Sequence, residues 1–276
     1  ATANECGKSN PVRSKSKHYI DSPNNYIIGG RKAIPGEFPW QVAVKNFKTK
    51  YTFNFCGGVI WNSRYILTAA HCLLDCVDGK AKKPTRVQVC VGDYNLKSHD
   101  GENCANAVYW WTHEKYDVCS RKIKNDIGIL KLKYPLYLPQ LTDNGYGSTN
   151  IPCHPKHKPY HGMATISGWG RDNPNTKSSP DVLKALTVPI WTNRNCKRIW
   201  NVDESQICVG GDGVQSSCQG DSGGPLVYYD EKGRATVIGL TSYGPVGCLD
   251  KGVPTVFTRI SYYLDWIYSI TNSTKP

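Results

Sequence analysis

Three widely separated residues carry groups able to work as one proton relay. They are His71 in Thr68-Ala69-Ala70-His71-Cys72, Asp126 in Asn125-Asp126-Ile127, and Ser222 in Gly220-Asp221-Ser222-Gly223-Gly224-Pro225. A serine hydroxyl is a weak nucleophile at neutral pH, and it attacks a carbonyl only when an imidazole takes its proton and a third group fixes the imidazole's tautomer. Each piece alone has a plainer explanation: a serine between glycines makes a turn, a histidine beside a cysteine neighbours a disulfide, and an aspartate before an apolar run opens a strand. Taken together they point to acyl-transfer chemistry. Ser222 would attack, His71 would take and return the proton, and Asp126 would hold the ring and stabilise its cation.

Folding must bring these groups together, and the sequence shows the elements that could do so. Short alternating runs such as Arg86-Val87-Gln88-Val89-Cys90-Val91 and Asp126-Ile127-Gly128-Ile129-Leu130-Lys131-Leu132, separated by Gly, Pro and Asn clusters, predict an all-β body. Only the C-terminus has a helical period, with Ile260, Tyr263, Leu264, Ile267 and Ile270 on one face of an expected helix at about 260–270. Residues 1–26 are rich in Ser, Asn, Lys and Pro and lack a periodic apolar pattern. The 276 residues are 39% hydrophobic, with no apolar run long enough to span a bilayer, so no membrane partner is expected. Twelve cysteines at long intervals read as a disulfide framework, which persists only in oxidising compartments. Secretion is therefore expected. The start at Ala1 shows no charged and then apolar leader, as after removal of a signal peptide. The formal charge of +12 comes from basic residues spread along the chain, which suits a solvated basic surface and not a nucleic-acid partner.

The order His, Asp, Ser and the strings around each residue resemble the chymotrypsin-like serine proteases over about Ile27 to Ile270. That resemblance implies two six-stranded antiparallel β-barrels packed face to face, with the reactive groups in the cleft between them. The N-terminal barrel would take about 27–145, the C-terminal barrel about 146–258 and the C-terminal helix about 260–270, with the break somewhere in 139–160. The backbone N–H groups of Gly220 and Ser222 would form the oxyanion hole, where loss of one donor typically costs about 3 kcal/mol of transition-state stabilisation. Ser242 matches the serine that lies behind the triad and lines the substrate strand. Ser216 falls at the floor of the specificity pocket and carries no charge, against cleavage after Arg or Lys. Gly244 leaves the entrance open, whereas Thr255 stands where glycine is common and should shorten the cavity in the manner of elastases. The expected preference is graded, for Leu, Met, Val or Phe with Trp disfavoured.

The same resemblance implies activation by a cut before Ile27-Ile28-Gly29-Gly30, whose freed amine would pair with Asp221 and shape the oxyanion hole. Tyr26 precedes the cut in place of the usual Arg or Lys. Cuts at Arg13, Lys15 or Lys17 would not expose Ile27, so processing in two steps is expected, with a light chain ending near Lys17 and residues up to Tyr26 discarded.

Family counterparts pair Cys56 with Cys72, Cys196 with Cys208 and Cys218 with Cys248, and Cys6 with Cys153 matches the link that tethers a light chain. A further family bridge is lost as a pair, since Ala164 and Tyr228 occupy its two places. Of the four cysteines left, Cys90 is assigned to Cys104 across neighbouring strands and Cys76 to Cys119 beside the cleft, although four cysteines allow three pairings. No cofactor or metal is expected. The Asp93–Glu102 stretch, where some relatives hold calcium, is interrupted by Asn95-Leu96-Lys97-Ser98-His99, and His154, His157 and His161 read as solvated loop histidines before a zinc site. Asn272-Ser273-Thr274 is a glycosylation sequon.

Three functions share these parts: a serine endopeptidase acting on polypeptides, a peptide isomerase that inverts an L-residue to D, and a binding homologue without catalysis. The second enters because the tethered light-chain layout also resembles spider venom peptide isomerase. An intact set of His71, Asp126 and Ser222 speaks against the third.

Overall fold

The computed structural model describes residues 6–9, 30–171, 179–214 and 216–271. The first half runs through β1 (Arg31–Lys32), β2 (Gln41–Phe47), β3 (Phe53–Ile60), β4 (Tyr65–Thr68), β5 (Asp75–Val77), β6 (Lys80–Lys82), β7 (Arg86–Val91), β8 (Asn103–Thr112) and β9 (Gly128–Leu132). After a crossing segment come β10 (Met163–Gly168), β11 (Lys184–Pro189), the one-turn helix α1 (Asn193–Cys196), β12 (Gln206–Val209), β13 (Pro225–Tyr229), β14 (Ala235–Tyr243), β15 (Thr255–Arg259) and helix α2 (Leu264–Thr271).

Strands β2, β3, β4, β9, β8 and β7 close in that order into an antiparallel barrel. The alternation that predicts β7 has a physical outcome here. Val87, Val89 and Val91 are buried in the barrel while Arg86 points to solvent. Closure leaves no free edge among these six strands, which removes a route to misassembly.

The second sheet has seven strands, in the order β1, β11, β10, β13, β14, β15, β12. Six of them curl shut where Trp191 N donates to Cys208 O at 2.8 Å and Gly210 N donates to Pro189 O at 3.0 Å, around the bridge between Ile190 and Val209. The seventh exceeds the expected six. It arises because the chain, before entering the first barrel, lays Arg31 and Lys32 antiparallel along Ala185 and Lys184 of β11.

The barrels share a core. Trp40, Trp61 and Trp169 are fully buried and belong to one cluster with Ile127, Leu240, Tyr263 and Ile267, so residues from both halves and from α2 meet. Truncating any of these tryptophans to alanine should cost about 3–5 kcal/mol, because both transfer energy and packing are lost. The C-terminal apolar stripe begins as a 3-10 turn at Ile260–Tyr263 and becomes α-helical only from Leu264. No helix among the described residues is long and apolar enough to cross a membrane.

The crossing segment corrects one expectation. His154 is not a solvated loop histidine: its ring stacks on Trp61 with centroids 3.4 Å apart, and its nitrogens lie 3.0 Å from Trp61 O and 3.2 Å from the Tyr268 hydroxyl. Burial pushes its pKa down. His157 and His161 are exposed.

Six disulfides join Cys6 to Cys153, Cys56 to Cys72, Cys76 to Cys119, Cys90 to Cys104, Cys196 to Cys208 and Cys218 to Cys248. Beside Cys6, Gly7 is built into the body: its N–H donates to Ile151 O at 2.8 Å and its carbonyl accepts from Ala235 N at 3.0 Å.

Candidate active site

His71 sits in a 3-10 turn, Ala70–Cys72, just beyond β4, and the Cys56–Cys72 disulfide pins that turn back to β3. Asp126 precedes β9, the neighbour of β4 in the barrel, and Asn125 before it adopts a φ of 55°. Pairing of β4 with β9 therefore carries the two side chains to one end of the barrel. The Nδ1 atom of His71 lies 2.8 Å from Asp126 Oδ2, and the His71 backbone N–H donates to Asp126 Oδ1 at 2.9 Å.

Asp126 is 2% exposed, so its charge depends on these donors. The second barrel supplies another: Ser242 on β14 donates its hydroxyl to Asp126 Oδ2 at 2.5 Å. Thr258 on β15 donates to the Asp126 carbonyl at 2.7 Å. Burial works to raise the Asp126 pKa, but the His71 charge and the hydrogen bonds from His71 and Ser242 outweigh it and hold the carboxyl below its usual range. For His71, burial disfavours the imidazolium, and the charge and hydrogen bond of Asp126 more than offset it, so the ring's pKa is raised.

Ser222 comes from the turn before β13, and that turn is pressed against the first barrel. Gly57 N donates to the Ser222 carbonyl at 2.7 Å, and Gly223 N donates to Thr241 O at 2.8 Å. Gly223 has a φ of 76°, and a Cβ there would run into the Thr68 hydroxyl and the Gly57 carbonyl. Only glycine lets the serine turn sit this close to the histidine strand pair. Gly220 adopts a φ of 102° one turn earlier.

Asp221, beside the serine, is 1% exposed. Its Oδ1 accepts from Gly170 N at 2.8 Å and its Oδ2 from Cys218 N at 3.0 Å. No cation among the described residues pairs with it. Burial therefore dominates and pushes its pKa up to about 6 despite the two amide donors. Gly168 and Gly170 wall the carboxylate so tightly that a Cβ on either would overlap its oxygens. Their part in the site was not apparent from the string Ser167-Gly168-Trp169-Gly170, although the two glycines around a tryptophan were its signal. Ile27, Tyr26, Arg13, Lys15, Lys17 and Asn272 lie outside the described residues.

The pocket residues meet around Thr255. Ser216 is 8% exposed, donates its hydroxyl to Ser217 O at 2.9 Å and lies 3.3 Å from Thr255 Oγ1. Ser217 also donates to Thr255 Oγ1, at 3.4 Å, a contact across 38 positions that no local string signals. A Cβ built on Gly244 would stand 3.2 Å from the Thr255 hydroxyl, so Thr255 occupies the space beside Gly244. The Cys218–Cys248 bridge spans this region.

Sulfur and nitrogen atoms of Cys56, His71 and Cys72 lie within 4.8 Å of one another, but both sulfurs are joined in a disulfide and supply no thiolate for a metal. The Asp93–Glu102 loop is richer in free oxygen than its sequence suggests. Asp93 Oδ1 and Asp100 Oδ1 are buried without a hydrogen-bond partner, and burial together with the charges of Asp100 and Glu102 pushes Asp93 up to about 6. Such oxygens suit a hard cation, while Glu102 is partly committed to His99, 2.8 Å away.

Comparison with known proteins agrees with this geometry. The Trypsin family model matches residues 27–267. The chain is 33% identical over 246 residues to trypsin-1 of Astacus astacus, covering 87% of this chain and 98% of that protein. It is 35% identical over 251 residues to chymotrypsin-C of Rattus norvegicus, covering 87% of each. With brachyurin of Leptuca pugilator it shares 32% identity over 254 residues, 90% of this chain and all of the relative. A serine turn pressed between two barrels, a buried aspartate behind a histidine and this extent of match place the chain in the trypsin family of serine proteases.

Proposed function

We propose that the chain is a secreted serine endopeptidase, made as a zymogen, that cleaves polypeptides after medium-sized apolar residues. The observation that carries the reading is the Asp126 carboxylate, bonded at once to the His71 ring, the His71 amide and Ser242. That arrangement fixes Nδ1 as the protonated nitrogen and leaves Nε2 free to act as base.

The steps follow from these residues. His71 Nε2 removes the Ser222 hydroxyl proton as Oγ attacks the substrate carbonyl. Asp126 stabilises the imidazolium that forms, and the amides of Gly220 and Ser222 stabilise the oxyanion. His71 then protonates the leaving amine, and water repeats the sequence on the acyl-enzyme. Ser216 offers a neutral floor and Thr255 a branched wall, which supports a preference for Leu, Met or Val over Trp, with Phe tolerated less well.

Zymogen control rests on Asp221. A carboxyl that burial holds up to about 6 lacks a cation among the described residues, and an α-amine freed at Ile27 is one that could supply it. Residues 1–26 would then be a light-chain segment held through Cys6–Cys153. Six disulfides suit an extracellular site of action.

The test is a peptide library incubated with the processed protein and read by mass and by chiral analysis. The reading expects new fragments ending in Leu, Met or Val. Unchanged masses with a D-residue, or fragments ending chiefly in Arg or Lys, would contradict it.

A further inference from the structure

Beyond the catalytic groups lies a cationic corner of the first barrel to which the proposed chemistry assigns nothing. Between His71 and β7 the chain makes a hairpin of its own, β5 paired with β6 through Asp75–Lys82, Cys76–Ala81 and Val77–Lys80. These two strands form a separate two-stranded sheet, so each keeps one unpaired edge. Cys76–Cys119 ties the hairpin to the loop that leads to Asp126, and Lys48 to Asp75 at 3.0 Å ties it to the turn between β2 and β3. Asp75 lies only three positions after Cys72, at most about 11 Å of extended chain, so the hairpin stands at the rim of the site.

The charge of this corner is mostly positive. Lys50, Lys80, Lys82, Lys83 and Arg86 are exposed and none pairs with a carboxylate among the described residues; of the hairpin's two carboxylates, Asp75 is taken by Lys48 and Asp78 is exposed in the turn, which leaves the cations in excess. Arg86 instead covers the Phe47 ring at 3.8 Å. Apolar surface is interleaved with the charge: Tyr51 is 80% exposed, Phe53 46% and Val77 43%. Lysines on a free strand edge keep copies of a protein from pairing with one another, and that reading accounts for Lys80 and Lys82 alone. It does not account for the exposed aromatic rings or for Lys50, Lys83 and Arg86 around them.

We propose that this corner docks an acidic, aromatic-containing stretch of the polypeptide substrate, away from the bond that is cut. An incoming strand would pair with the free backbone of the hairpin, its carboxylates would offset the lysines, and its apolar side chains would cover Tyr51 and Val77. A sulfated polysaccharide would meet the charge but leave the strand edge and the rings unused, which is why a polypeptide fits better. The docking rests on the proposed endopeptidase reading, and the experiment separates the two.

Full-length Ser222→Ala protein is titrated into a fluorescein-labelled dodecapeptide carrying four Glu and two Phe, and into the same peptide with Gln for Glu. A Lys80→Gln/Lys82→Gln/Lys83→Gln variant is compared in the same background. The proposal expects saturable binding of the acidic peptide that weakens with salt, little binding of the Gln peptide, and roughly tenfold loss in the triple variant. In processed protein with Ser222 intact, the triple variant should lose kcat/KM on a substrate bearing the acidic stretch and keep it on a short neutral one. Absence of hydrolysis of the short substrate would sink the endopeptidase reading while leaving the binding arm readable. Equal binding of the two peptides, binding only of a heparin-length sulfated oligosaccharide, or an unchanged affinity in the triple variant would overturn the docking.

Discussion

Ser242 and Asp126, from different barrels and 116 positions apart in the chain, share a 2.5 Å hydrogen bond to the carboxylate oxygen that also faces the His71 ring. The second barrel thus holds the aspartate of the first, and any shift between the barrels would be felt at the imidazole. Ser242→Ala leaves that oxygen short of one donor in a buried setting, a loss of about 1–3 kcal/mol. The expected outcome is a fall of roughly tenfold in kcat/KM with a smaller loss of thermal stability, read by steady-state kinetics and thermal melting.

The Asp126 carboxylate raises the His71 pKa, so the base is in its working neutral form only above the ordinary imidazole value. The kcat/KM profile should therefore rise with a midpoint above about 6.5. Asp126→Asn should lower that midpoint and reduce kcat by on the order of 10⁴, the loss seen in the template triad of this fold. A midpoint unmoved by the substitution would contradict the coupling.

Asp221 links folding to processing. Its folded pKa is raised to about 6, so in the uncut chain it binds a proton more tightly than when unfolded. Its contribution is fully present below the usual carboxylate pKa of about 4 and is lost as pH rises through about 6, a loss of up to about 3 kcal/mol. After a cut before Ile27, the new ammonium should remove that slope. Urea midpoints at pH 5 and pH 7.5, before and after processing, measure the difference.

Thr255→Gly should open the pocket beside Gly244 and shift preference from Leu and Val toward Phe and Tyr by about 10- to 200-fold. Ser216→Asp in the same background should admit Lys and Arg. Cleavage-site profiling of the two variants reads both outcomes.

Much of the site was legible because its chemistry is carried by short strings: the serine turn and the Ala-His-Cys turn each place a constrained backbone beside a reactive group. Strand β7 was legible through period-two alternation, since Val87, Val89 and Val91 face the barrel interior, and β9 through its apolar run, since Ile129, Leu130 and Leu132 are all buried. What could not be read is non-local or too short to have a period. The stacking of His154 on Trp61 joins residues 93 apart, and a histidine among prolines looks the same in solvent. Strand β1, at two residues, and the β5–β6 hairpin, at three residues a side, carry no alternation, and the 3-10 start at Ile260 differs from an α-helix by less than the apolar stripe can register.

The most direct measurement is labelling of the processed protein with a fluorophosphonate, followed by peptide mapping. One adduct is expected, on Ser222; it disappears in Ser222→Ala and forms slower by orders of magnitude in His71→Ala. Folded, processed protein that takes no adduct at Ser222 would contradict this.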